Sequence, residues 1–189
     1  MMLNRTSNKS DFDLWELLRQ SNKEAFSILY QRHIQALINF GLKHTQNEDL
    51  VKDSLQDLFI EIWNKRSSLT EVTHVKVYLF KAFRYKLLRA LSNSQKSQTN
   101  CIDGLHYAFA ESEIEEEENI LQRKKILNNQ IQQLPERQKE IIYLRYFHNL
   151  KNEEIADILN MNYQSVANLL HRAIKKLRQS IPSRLRNLI

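Results

Sequence analysis

Five polar side chains, Gln164, Ser165, Asn168, Arg172 and Lys175, fall on one face of a helix-patterned stretch. Amide, hydroxyl and guanidinium groups at this spacing can reach base edges and phosphates in a DNA major groove. The opposite face carries Val166, Leu170, Ala173 and Leu177, at steps of four, three and four, the spacing of a buried stripe. A shorter apolar face, Ile155, Ala156, Ile158 and Leu159, precedes it, with Asn160, Met161 and Asn162 between. Asn160 can take the left-handed conformation that ends a helix where glycine is absent. Met161 can fill the core between the helices, and Asn162 is a good N-cap for the second. Residues 152–176 therefore read as a helix-turn-helix. An αα-hairpin with a solvated polar face would have the same pattern.

A second group combines bases with aromatics. Within HVKVYLFKAFRYKLLRAL, Lys81, Arg84, Tyr85, Lys86 and Arg89 lie close along one helix. Such a stripe can neutralise phosphates and stack unpaired bases. The alternative makes Phe80, Phe83 and Leu87 core and the bases a solvated flank, which accounts for the aromatics but not for the clustering of charge. A third group, Asp53, Gln56, Asp57 and Glu61, forms an acidic surface on EDLVKDSLQDLFIEIWNKR, whose Leu50, Val51, Leu55, Leu58 and Ile62 serve a core, with Phe59 a further candidate. An acidic ridge in a basic lobe suits protein docking better than DNA, and an ordinary solvated face fits the pattern equally well. Trp63 can be core or interface anchor.

Enzymatic chemistry finds little support. The six histidines, His33, His44, His74, His106, His148 and His171, are scattered without a zinc-binding spacing. Two glycines cannot build a phosphate-binding loop, and no serine is spaced with a histidine as nucleophile and base. No cofactor or metal is expected. The single cysteine, Cys101, excludes an internal disulfide and suggests a reducing compartment. No apolar run approaches the length of a membrane span, and the first residues lack the apolar core of a secretory signal, so a cytoplasmic protein without membrane insertion is expected.

The elements that must position these groups are helical. Only Gly41, Gly104, Pro135 and Pro182 are available to punctuate 189 residues, too few for a hairpin-rich sheet protein. The charge is segregated: residues 1–110 carry a net +4, residues 111–120 carry −6 with six glutamates, and residues 121–189 carry +8. Two basic lobes around an acidic strip suggest two polyanion-binding modules.

In the first lobe, Asp11 or Asp13 can cap a short helix bearing Leu14, Trp15, Leu17 and Leu18. Asn22 can cap a longer one with Phe26, Leu29, Tyr30, Leu37 and Ile38 as its stripe and Gly41 permitting close packing. Asn47 begins the ridge helix, and residues 66–73 are a polar loop. Residues 93–119 carry no useful stripe and read as a flexible acidic linker. A second helical domain begins at Ile120; Ile141, Ile142, Leu144, Tyr146 and Phe147 are its expected buried positions ahead of the helix-turn-helix. The expectation is an all-α chain of two small helical domains, 12–92 and 120–178.

With both lobes read, the chain resembles the small two-domain sigma-70-family factors of bacterial RNA polymerase, the extracytoplasmic-function (ECF) group. LPERQKEIIYLRYFHNLKNEEIADILNMNYQSVANLLHRAIKKLR resembles that family's region 4, including its LP-R start, EEIA helix and LHRA-KKLR close. AFSILYQRH, DSLQDLFIEIW and VYLFKAFRYKLLRAL resemble region 2. The resemblance implies a polymerase-docking surface at Asp53, Gln56, Asp57, Phe59 and Trp63. It implies capture of a melted −10 element by the loop at 67–73 and the helix bearing Lys81, Arg84, Tyr85, Lys86 and Arg89. It implies −35 recognition by Gln164, Ser165, Asn168, His171, Arg172 and Lys175.

Its implied partners are RNA polymerase core, through clamp and flap regions, promoter DNA and an anti-sigma factor; the acidic linker would thread into polymerase channels. The family usually has Asn where Tyr85 stands and often an acidic residue near Arg89, and its recognition helices often carry bases where Ala167 and Leu169 stand. A two-component helix-turn-helix regulator shares the C-terminal pattern, but it would need an alternating strand-helix receiver in place of the helical stripes of residues 1–110.

Overall fold

A computed structural model describes residues 8–97 and 126–180, and among these every regular element is helical. The chain forms two compact units, Met1–Leu105 and His106–Ile189.

The first unit contains α1 (Asp11–Arg19), α2 (Lys23–Gly41), α3 (Glu48–Asn64), a 3-10 turn (Arg66–Ser68) and α4 (Val75–Ser97). Asn22 and Asn47 cap α2 and α3 as expected, accepting the N–H of Ala25 at 2.9 Å and of Leu50 at 3.0 Å. At α1 neither aspartate is the N-cap. Ser10 Oγ accepts the Asp13 N–H at 3.1 Å, and the Asp13 carboxylate accepts the Ser10 N–H at 3.3 Å. This reciprocal pair satisfies two otherwise orphaned donors. It leaves Asp11 free to tie α1 to α2, 2.5 Å from Arg32 Nη1 and 2.7 Å from His33 Nε2. The hydrogen bond with buried His33, and then Arg32, hold the Asp11 carboxyl below the usual carboxylate range.

The apolar faces converge on the rings of Phe40, Phe80 and Phe83, all fully buried. Phe40 meets Phe80 edge-on at 5.2 Å and Phe83 at 6.3 Å. Gly41 lies beside them, and a Cβ there would sit 2.8 Å from Val51 Cγ1 and 2.9 Å from Phe83 Cζ. Neither neighbour can yield, because both are themselves fully buried. Gly41→Ala is therefore expected to destabilise the unit by about 1–2 kcal/mol net, overpacking outweighing the roughly 1 kcal/mol gain in helix propensity. Urea unfolding followed by circular dichroism measures this, and a stabilised variant would contradict the packing.

The second unit has a helical segment at 126–132 (α5), then α6 (Glu136–Ile142), a π-helical turn (Tyr143–Phe147), α7 (Asn152–Leu159) and α8 (Tyr163–Ser180). Ile131, Leu134, Ile142, Ala173 and Leu177 form a core, with Leu127, Leu170 and Ile174 packed against it. Ile141 and Leu144 are buried as expected, but Tyr146 and Phe147 are 56% and 51% exposed. The expectation followed a continuous 3.6-residue period. The π turn widens the helix by a residue and rotates everything beyond it, so Tyr143 takes the buried place instead. Burial pushes the Tyr143 phenol well above its usual range, which keeps it neutral. Tyr143 stacks on Phe147 with ring centroids 5.2 Å apart.

Two expectations fall at the edge of the described residues. α4 continues to Ser97, past the expected boundary at residue 92. The rest of the expected acidic linker, 98–119, lies outside the described residues, as do 120–125.

Candidate nucleic-acid and protein interfaces

The C-terminal hairpin is built by its turn. α7 ends on Asn160, held in the left-handed region at φ 51 and ψ 52. The Met161 N–H returns to the Ala156 carbonyl at 2.9 Å, closing the helix end. Asn162 Oδ1 accepts the Ser165 N–H at 2.7 Å and starts α8. With Val166, Ala173 and Leu177 buried, Gln164, Asn168, His171, Arg172 and Lys175 are all exposed on α8, while Ser165 is half-buried. Gln164 Nε2 donates to Asn168 Oδ1 at 3.2 Å, so the two amides at the start of the helix present one joined polar surface. Leu169 is half-buried, as is Ala167.

On α4 the basic-aromatic group divides. Tyr85 is 68% exposed, and Lys81 and Arg89 are also exposed. Arg84 and Lys86 are half-buried. Lys86 Nζ lies 2.6 Å from Glu61 Oε2 on α3, and Lys65 Nζ lies 2.6 Å from Glu61 Oε1. These two ammonium groups, Lys65 first, hold the Glu61 carboxyl down at about 2. A depressed folded-state value means that the pairing contributes above the ordinary carboxylate range and is lost only as pH falls toward 2. At neutral pH Lys86 is therefore engaged with α3.

Glu61 was not among the sequence-predicted site residues for this role. Its i,i+4 spacing to Lys65 is visible in the sequence; its pairing with Lys86 across two helices is not. Between α3 and α4 lies an open cleft of about 610 Å³, lined among others by Asp57, Leu69, Tyr78, Tyr85 and Arg89.

The five residues expected to dock polymerase do not share one surface. Gln56, Phe59 and Trp63 line an apolar groove of about 720 Å³ between α2 and α3, together with Phe26, Tyr30 and Ile38. Phe59 is buried there, edge-on to Tyr30 at 4.8 Å. Trp63 is half-buried, 5.2 Å from Phe26, with the Arg66 guanidinium 4.4 Å above its ring. Asp57 opens instead on the α3–α4 cleft, and Asp53 is exposed beside neither. The sequence reading missed Ile60, which is 49% exposed on the groove wall.

Among the described residues the chain is thus all-helical, with a helix-turn-helix in one unit and a basic-aromatic cleft in the other. A family model described as "Sigma-70, region 4" matches residues 124–177. RNA polymerase sigma factor YlaC of Bacillus subtilis (strain 168) is 23% identical over 163 residues, covering 85% of this chain and 94% of that protein. The ECF RNA polymerase sigma factor SigM of the same organism is 23% identical over 150 residues, covering 79% and 91%. Among solved structures, CnrH in complex with the cytosolic domain of CnrY aligns with a TM-score of 0.62 at 19% identity, over 90% of this chain and 96% of that one. The sigma factor RpoE in complex with the anti-sigma factor NepR, from Bartonella quintana, aligns with a TM-score of 0.59 at 16% identity, over 82% and 95%. Residues 124–177 thus match region 4 of the sigma-70 family, and the chain is similar over most of its length to RNA polymerase sigma factors, one of them of the ECF group.

Proposed function

We propose that this chain is an RNA polymerase sigma factor of the ECF group that binds polymerase core, brings it to promoters through −35 and −10 elements, and helps to open the −10 duplex. In this reading residues 12–92 dock core and capture the −10 strand, residues 93–119 connect, and residues 120–178 hold the −35 element. The carrying observation is α8, whose exposed face bears Gln164, Asn168, His171, Arg172 and Lys175 opposite buried Val166, Ala173 and Leu177. Exposed Tyr85 and Arg89 on the open cleft, with exposed Lys81 on the same helix, support the −10 assignment. The apolar groove with Gln56, Phe59 and Trp63, and the acidic Asp53 and Asp57, support core docking.

The role is one of binding, not catalysis, and its setting is the cytoplasm, where polymerase works. Among the described residues no helix is long and apolar enough to cross a membrane. An anti-sigma factor is a further proposed partner, by analogy with RpoE, whose solved structure holds one. A two-component regulator is not favoured, since residues 8–97 have helices where a receiver requires a sheet.

Gel shift tests this reading: the chain should shift promoter DNA with polymerase core and poorly alone. A tight, sequence-specific shift by the chain alone would favour an autonomous regulator. Arg172→Ala separates two modes of −35 contact. If Arg172 reads a base, use of the matching promoter should weaken by about 1–3 kcal/mol relative to a promoter altered at that base. If it only holds phosphate, all templates should weaken alike and the salt slope should fall by about 1.

A further inference from the structure

α1 carries none of the residues assigned to DNA or polymerase, yet two of its side chains, Trp15 and Arg19, reach one distant segment. Trp15 Nε1 donates to the Thr70 carbonyl at 3.1 Å, and Arg19 Nε donates to the Leu69 carbonyl at 2.9 Å. Arg19 Nη1 also binds both Glu16 oxygens at 2.8 Å, which orients the guanidinium. In the turn after α1, Ser21 Oγ accepts from Arg66 Nε at 2.9 Å. Main-chain carbonyls of two consecutive residues and the arginine that opens the same segment are thus all held from one helix and its turn.

The held atoms lead directly to the cleft between α3 and α4. Leu69 lines that cleft, and so does Tyr78, whose ring meets fully buried Trp15 edge-on at 5.0 Å. Glu71, Thr73 and His74, which follow the anchored carbonyls, are exposed. Ser21 has φ 69, in the left-handed region where glycine is the unstrained choice. A serine there sacrifices backbone comfort while its hydroxyl holds Arg66. Leu14 and Leu18 are buried as well, so α1 also has an apolar anchor besides these polar contacts.

We infer that Trp15, Arg19 and Ser21 form a brace that fixes the segment after α3 and so sets which bases the α3–α4 cleft accepts at the −10 element. The inference rests on the proposed assignment of that cleft and loop to the −10 strand. The three are positioning residues, acting through the Leu69 and Thr70 carbonyls and through Arg66. A segment held before DNA arrives need not be ordered on binding, and discrimination between bases requires such held geometry.

The test uses holoenzyme reconstituted with the full chain or with Arg19→Ala, Arg19→Lys or Ser21→Gly. The templates are a promoter recovered from genomic fragments by the wild-type holoenzyme and its single-base variants in the −10 or −35 element. The readout is the ratio of run-off product from the parent to that from each variant. Arg19→Ala should lower the −10 ratio by about 3- to 10-fold, the loss of one net hydrogen bond, and leave the −35 ratio unchanged. Arg19→Lys should restore part of it. Ser21→Gly should lower the −10 ratio while the thermal midpoint stays level or rises, since glycine accepts this φ.

Unchanged −10 ratios in Arg19→Ala and Ser21→Gly beside an active wild type would overturn the brace. A parallel fall in both ratios, or lost stability with discrimination intact, would also overturn it by marking the contacts as merely structural. A wild-type holoenzyme that initiates nowhere would instead overturn the assignment on which the brace rests.

Discussion

Reversing Asp53 and Asp57 together to Lys is expected to lower co-purification with RNA polymerase core at least about 100-fold, because like charges facing each other in an interface cost several kcal/mol. Both side chains are exposed on α3, so the change leaves the core of the unit untouched and the helical circular dichroism signal should not move. The two positions face different neighbours. Asp57 looks onto the cleft that holds Glu61, Lys86 and Arg89, where an added lysine would also crowd existing cations. Asp53 borders neither the cleft nor the apolar groove. Asp53→Lys alone is thus the cleaner probe of docking, and Asp57→Lys alone should additionally disturb use of the −10 element. Undiminished co-purification by the double variant, with helicity intact, would remove the acidic side of α3 from the docking surface.

Truncating Phe83 should have the largest effect on stability. Its ring is fully buried, near Phe40 and against Gly41, where an added Cβ would lie 2.9 Å from Phe83 Cζ. Phe83→Ala is expected to cost about 3–5 kcal/mol, from lost burial and the cavity left behind. That is a large share of the roughly 5–15 kcal/mol that keeps a domain folded. The loss should be confined to the first unit. Urea unfolding should show an early transition for residues around α1–α4, with α8 protected to the original denaturant concentration in hydrogen exchange. A destabilisation under about 1 kcal/mol would place the ring outside a well-packed core. Since Arg84 and Tyr85 follow directly on α4, promoter opening should fail in the same denaturant range in which this unit unfolds.

Local rules were legible in the sequence wherever a single residue type carries them. Asn22, Asn47 and Asn162 cap helices and Asn160 ends one because short amide side chains satisfy nearby N–H groups and tolerate left-handed backbone. The period of α8 gives the burial of Val166, Ala173 and Leu177, while Leu170 is only half-buried; the burial of Phe80, Phe83 and Leu87 is the alternative that the sequence left open.

What escaped has physical reasons. The π turn at Tyr143–Phe147 leaves no mark in composition, so a constant period placed Tyr146 and Phe147 inward. At α1 an aspartate was assigned the cap that Ser10 supplies, because the acid at the third position is the serine's partner in the capping pair. Periodicity also shows which α3 residues face outward but not which neighbouring helix flanks each of them. Asp57 and Phe59 therefore belong to different clefts. The Glu61–Lys86 pair and the contacts from Trp15 and Arg19 join residues far apart in the chain, and only the fold brings them together.

Run-off transcription with purified core polymerase tests the central assignment most directly. Core supplemented with this chain should initiate from a limited set of promoters sharing −35 and −10 sequences. Core alone should not, and core with the Asp53→Lys, Asp57→Lys variant should not. Transcripts that start at the same sites with and without the chain would contradict the account.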